Sequence, residues 1–163
     1  MKTVILGLGN PILYDDGAGF EAASRLKNMI SRSDVEVKTA SVGGLRILDQ
    51  ITGFERAIII DALMTGSPAG TVKKMTVEDL SGELHASCVH DLSFGDTLRL
   101  GKTIGMAIPE RIVIYGIEVS DPFTLHEGCS REVLKGVEEV VMRIKKELDD
   151  LNLPEVLSAV DSV

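Results

Sequence analysis

The sequence predicts a three-layer α/β fold around a mostly parallel central sheet, and three observations predict it. Short apolar runs suited to strands alternate along the chain with amphipathic segments of helical period. One run, Ala57-Ile58-Ile59-Ile60, is apolar at every position and so belongs in the middle of a parallel sheet covered on both faces. The chain has 163 residues, enough for one domain with its own core and too few for a second.

Each element follows from its local pattern. Val4-Ile5-Leu6, closed by Gly7-Leu8-Gly9-Asn10-Pro11, reads as a buried first strand ended by a turn. Phe20, Ala23, Leu26 and Ile30 recur at three and four residues and give a helix over about 17–30 one stripe for the core. Val35 to Thr39 alternates as a second strand, and Leu45, Leu48 and Ile51 mark a short helix ending at Gly53. The central run follows, with Asp61 at its carboxyl end. Thr71 to Val77 reads as a further strand, placed near an edge by adjacent Lys73 and Lys74. Residues 81–89 are irregular; Leu92, Leu98 and Leu100 then support a helix from Asp91 to about Leu100. Ile112 to Ile117 is the last strand, and Val133, Val137, Val140, Val141, Ile144 and Leu148 line the longest amphipathic helix. Residues 1–150 are thus expected to form a single domain. The stretch 151–163, with Pro154 and little periodicity beyond Val156, is expected to be a loose tail.

Composition excludes several roles. Lys+Arg 17 against Asp+Glu 25 leaves a charge of −8, which opposes the phosphate attraction on which nucleic-acid binders rely. Aromatics at 4% with no Trp are too few for a base-stacking platform. The two cysteines, Cys88 and Cys129, do not make a disulfide framework and are expected to be free thiols. The N-terminal apolar stretch stops too early for a signal-peptide core, and no stretch approaches the ~20 apolar residues of a membrane span. The expectation is a cytoplasmic, soluble protein with neither nucleic acid nor membrane as partner.

In an open α/β sheet the ligand crevice lies outside the carboxyl ends of the strands, where Asp15, Asp16, Asp61 and His90 fall. Gly7-x-Gly9 begins a dinucleotide fingerprint, but Ile12 replaces its third glycine and two carboxylates stand where a pyrophosphate needs N–H groups. Asp15-Asp16-Gly17 has two open readings. One carboxylate can cap the following helix; two adjacent acids exceed that need, and a bound cation would relieve their repulsion. Asp16, Asp61 and His90 together make a mixed oxygen and nitrogen donor set suited to a borderline divalent ion such as zinc or nickel, with one coordination position open. His85 and His126 compete for the imidazole role. His126-Glu127 lacks the second histidine of H-E-x-x-H, because residue 130 is Ser; the stretch lies just before the last helix, with His126 read as surface and Glu127 as part of the helix entry. Cys88, two residues before His90, would share its face on a strand and could be a nucleophile, but a buried inert thiol is the favoured reading.

Taken together, Gly7-Leu8-Gly9-Asn10 with Asp15-Asp16-Gly17-x-Gly19, Ile59-Ile60-Asp61-Ala62, and Ser87-x-x-His90-x-Leu92 resemble the hydrogenase maturation proteases. Gly43-Gly44-Leu45 and Gly116-Ile117-Glu118 add to the resemblance, which spans residues 2 to about 148. It implies a phosphorylase/hydrolase-like α/β fold and an endopeptidase that removes the C-terminal extension of a nickel-loaded [NiFe] hydrogenase large-subunit precursor. Asp16, Asp61 and His90 then become the catalytic and metal-binding trio, recognising nickel supplied by the substrate, with zinc as another ion the set accommodates. Asp16 departs from the family, since many members carry Glu there, one methylene longer. The partner implied is the precursor, met by a monomer or weak oligomer. Its recognition is expected to use Phe94 to Glu110 and Glu118 to Cys129, with Met64, Phe94 and Phe123 as apolar contacts.

Two rivals differ in class. Peptidyl-tRNA hydrolase also opens with Gly-Leu-Gly-Asn-Pro after a strand, but it needs a histidine soon afterwards and here none precedes His85. A nickel-binding maturation chaperone, or a binding module that does not cleave, would keep the same trio.

Overall fold

The computed structural model describes residues 1–79 and 94–151. Among these residues five strands form one sheet in the order β2-β1-β3-β5-β4: β1 Thr3–Leu8, β2 Val35–Ala40, β3 Arg56–Leu63, β4 Val72–Met75 and β5 Arg111–Glu118. The first four in that order run parallel, and β4 closes one edge antiparallel to β5. Adjacent Lys73 and Lys74 do lie on an edge strand, where charge discourages pairing with another chain.

The helices are α1 Ala18–Met29, α2 Arg46–Ile51, α3 Phe94–Thr103 and α4 Arg131–Asp150. Side chains of a strand alternate between faces, so β3 serves two cores at once. Ile58 and Ile60 join Ile5, Tyr115 and Ile117 against α1 and α4, through Leu26, Val137, Val140 and Ile144. Ala57 and Ile59 join Val4, Leu6 and Ile114 against α2 and α3, through Ile47, Leu48, Ile51, Phe94 and Leu98. These are the three layers that the alternating pattern predicts.

Several boundaries differ from the sequence reading. The central strand runs two residues beyond Asp61, because Leu63 resumes the apolar pattern and pairs with Glu118 of β5. The middle helix continues to Thr103; its expected start at Asp91 lies outside the described residues. Phe94 is 7% exposed and packs in the second core, so it is no recognition residue. Among the described residues no helix is long and apolar enough to cross a membrane. The stretch 152–163, read as most of a loose tail, lies outside the described residues.

Connectivity creates a crevice. The β1-to-β2 connection passes through α1 on one face, and the β2-to-β3 connection passes through α2 on the other. At the carboxyl ends of the neighbouring strands β1 and β3 the chain diverges, leaving β1 toward β2 on one side and β3 toward β4 and β5 on the other, and this is where an open α/β sheet binds ligands. Glycine lets the start of α1 press into this place. A Cβ on Gly19 would stand 2.3 Å from both Leu8 O and Ile60 O, and one on Gly9, at φ +138°, 2.1 Å from Asp16 O. The paired glycines of the opening motif thus serve close packing of the turn and α1 onto β1 and β3.

Candidate active site

A single 3-10 turn, Tyr14–Gly17, follows β1 and rests against β3. Asp16 lies in it at 2% exposure, and its Oδ2 accepts the Asn10 N–H at 2.8 Å. Asp61, on β3, is 3% exposed, and its Oδ1 accepts the Ala62 N–H at 2.8 Å. The strands that carry them pair directly, Gly7 opposite Ile60. Two of the three expected site residues thus sit buried at the adjoining carboxyl ends of β1 and β3, each with one oxygen fixed by backbone. His90 lies outside the described residues, as do the competing His85 and the alternative nucleophile Cys88. Among the described residues no group of three or more His, Cys, Asp and Glu side chains could hold a metal ion; the expected trio requires His90.

Asp15 has a different task from its neighbour. It is completely buried, with Oδ1 accepting the Ser130 N–H at 2.7 Å and Oδ2 the Ser130 hydroxyl at 3.1 Å. Ser130 is the N-cap of α4, its Oγ accepting the Val133 N–H at 3.4 Å. Asp15 therefore places a carboxylate at the positive end of the longest helix, where the macrodipole favours it. Neither acid caps α1, whose N-cap is Gly17 without a side-chain hydrogen bond. Glu127 is exposed and lies three residues before Ser130, in the segment that enters α4, and His126 is exposed as expected.

The turn carries strain. Tyr14, at φ +41°, is the one non-glycine residue with positive φ among the described residues, a conformation costing of order 1 kcal/mol or more. It is held there by its N–H to His126 O at 2.8 Å and by its ring standing edge-on to the His126 imidazole, 5.0 Å between centroids. Behind it, the Cys129 thiol donates to Tyr14 O at 3.8 Å. Burial, then the Asp15 and Glu21 carboxylates, push that thiol up to about 11, so it is no nucleophile at neutral pH.

Sequence reasoning missed the role of Glu118. At 1% exposure it ends β5 and accepts the N–H groups of Thr65, Gly66 and Ser67 at 2.5, 2.7 and 3.2 Å, and the Thr65 hydroxyl at 2.7 Å. It thereby fixes the loop that follows β3 and carries half-exposed Met64. An acid closing a strongly apolar strand is the signal that could have found it.

Large apolar side chains ring this end of the sheet. Ile12, Leu45, Met64, Phe123 and Leu125, one or two from each loop, are 47, 53, 40, 72 and 76% exposed.

Comparison with known proteins gives concordant matches. A family profile described as "Hydrogenase maturation protease" matches residues 20–147. A putative hydrogenase maturation protease of Methanocaldococcus jannaschii is 28% identical over 151 residues, 89% of this chain and 95% of that one. The hydrogenase expression/formation protein HupD of Thiocapsa roseopersicina is 25% identical over 120 residues, 72% of this chain, which spans about half that relative's length (54%). Among solved structures, the hydrogenase maturating endopeptidase HybD of Escherichia coli superposes with a TM-score of 0.77 at 20% identity, covering 93% and 94% of the two chains. The [NiFe] hydrogenase maturation protease HybD of Thermococcus kodakarensis gives 0.70 at 28% identity, covering 90% and 99%.

Proposed function

This chain belongs to the hydrogenase maturation protease family, and from that premise we propose that it is an endopeptidase that removes the C-terminal extension of a nickel-loaded [NiFe] hydrogenase large-subunit precursor. The observation that carries the proposal is the placement of Asp16 and Asp61, both buried and backbone-fixed, at the switch point between β1 and β3. Nickel is cargo of the substrate here. Two carboxylates and the His90 imidazole suit it as a mixed donor set, and zinc would fit the same donors.

In this reading Asp16, Asp61 and His90 complete the coordination of the nickel held by the precursor, and that anchorage positions the scissile peptide. Fixing a peptide in one orientation removes much of the entropic part of its barrier. Asp16 is a methylene shorter than the Glu common in the family. The close packing allowed by Gly9 and Gly19 seats its turn directly on β3, which supports the shorter carboxylate in the same role.

The test is a gel mobility assay on the precursor. Nickel-loaded precursor is expected to shift and metal-free precursor to remain uncut, with Asp16→Ala and His90→Ala slowing the shift by about a hundredfold or more. If His90→Ala trims loaded precursor at the normal rate, the site assignment is wrong. Binding of loaded precursor without any shift would instead make the protein a nickel-directed chaperone.

A further inference from the structure

Phe123 and Leu125 are the most exposed large apolar side chains among the described residues, at 72% and 76%. A loop that shows such groups to water is normally free to turn them aside, and this one is not. The Asp121 carboxylate accepts the Phe123 and Thr124 N–H groups at 3.1 and 3.0 Å and the Thr124 hydroxyl at 2.5 Å. Hydrogen bonds from the Thr124 hydroxyl and from the Thr124 and Phe123 N–H groups hold its carboxyl below the usual range, so these contacts persist at neutral pH. The far end of the loop is tied as well: His126 pairs with Leu13 in an isolated parallel bridge, its N–H donating to Ile12 O at 3.0 Å.

The same loop braces the site. Asp121 O accepts the Asp15 N–H at 3.3 Å, and His126 O accepts that of Tyr14. The Phe123–Leu125 tip is thus a rigid apolar finger built onto the turn that carries Asp16. Rigid presentation of apolar groups lowers the ordering cost of binding, and exposed apolar groups beside a site mark contact surfaces.

We infer that Phe123 and Leu125 form a docking finger for the precursor polypeptide, setting which precursor is accepted; this rests on the function proposed above. Two side chains of this size bury a few hundred Å² at most, well short of the roughly 1,200 Å² of a stable protein pair. A second copy of the chain meeting the finger alone would not hold. A polypeptide that already reaches Asp16 and Asp61 passes the finger and adds its area to a contact that exists.

The test compares wild type with Phe123→Ser/Leu125→Ser on nickel-loaded precursor, using both cleavage kinetics and direct binding by titration calorimetry. The expected result is a KM and a Kd raised about tenfold or more, with kcat within about twofold and an unchanged melting temperature. Asp121→Ala, which frees the finger without removing it, is expected to raise KM by a smaller factor. An unchanged Kd in the double variant overturns the inference, as does a change confined to self-association measured by sedimentation. A wild type that binds precursor but never cleaves it overturns the proposed proteolysis, while the calorimetric comparison still decides the finger.

Discussion

Asp15 and Asp16 are neighbours in sequence and in burial, yet they face opposite demands. Asp15 spends both oxygens on Ser130, 115 residues away, and so fastens the start of α4 to the turn after β1. Replacing it with Ala leaves the half-buried Ser130 N–H without its acceptor, and a loss of about 1–2 kcal/mol is expected in urea unfolding. Asp16→Asn keeps the volume of a residue proposed for substrate contact, so it is expected to cost less than about 1 kcal/mol while abolishing processing. That one of the two adjacent acids serves a helix start was legible in the sequence, although the helix is α4 and not the α1 that follows. Which acid did what was not, because the deciding partner lies at the other end of the chain. The same holds for Glu118, whose partners Thr65 to Ser67 lie 51–53 residues before it. Phe94 was misread for the converse reason: a phenylalanine at a helix start gives no local sign of whether it faces partner or core.

Strands and helices were legible wherever periodicity had a single cause. β1, β3 and β5 are covered on both faces and read as unbroken apolar runs, and α4 shows its seven-residue returns plainly. The end of β3 was placed short because Asp61 looks like a terminus, whereas the strand runs through it and burial of the acid is a property of the site. The packing of α1 was hidden for a different reason: glycine spacing suggests a turn but not what approaches it. Gly19→Ala is expected to destabilise by about 3 kcal/mol, since the added carbon meets two backbone oxygens that cannot rotate away. Gly44→Ala is the contrasting case, at φ +59° with nothing within 4 Å of the new carbon; it should lose only about 1 kcal/mol. Parallel denaturant melts of the two variants check the difference.

Across the whole molecule the two ends of the sheet are chemically distinct. Opposite the acid pair, at the amino ends of β3 and β5, lies a cleft of about 770 Å³ bordered by Arg56, Lys74, Tyr115, Arg143 and Glu147. Glu147 is its keystone: it pairs with the buried Arg56 guanidinium, with Lys74 at 2.9 Å and with the Tyr115 hydroxyl at 2.7 Å. Burial pushes its carboxyl up, but the Lys74 and Tyr115 hydrogen bonds and the charges of Arg56 and Lys74 outweigh that and hold it below the usual range. A carboxyl lowered on folding contributes stability above its ordinary pKa and loses it as pH falls through the lowered value. Glu147→Gln is expected to cost about 2–3 kcal/mol at pH 7, by stranding Arg56, and the gap from wild type should narrow below about pH 4. Unfolding curves at the two pH values check it. Fold class and layering were legible because they follow from alternation, while strand order was not, because it depends on which distant segments meet. That dependence has a consequence in time. Thr3 meets Arg56 and Gly7 meets Ile60 only after a loop of about fifty residues has closed, a non-local step that is slow compared with forming any single helix. Until it closes, the turn that carries Asp16 has no β3 to rest against, so a chain still emerging or only half folded lacks the buried acid pair proposed as the site, and that pair arrives with the completed sheet.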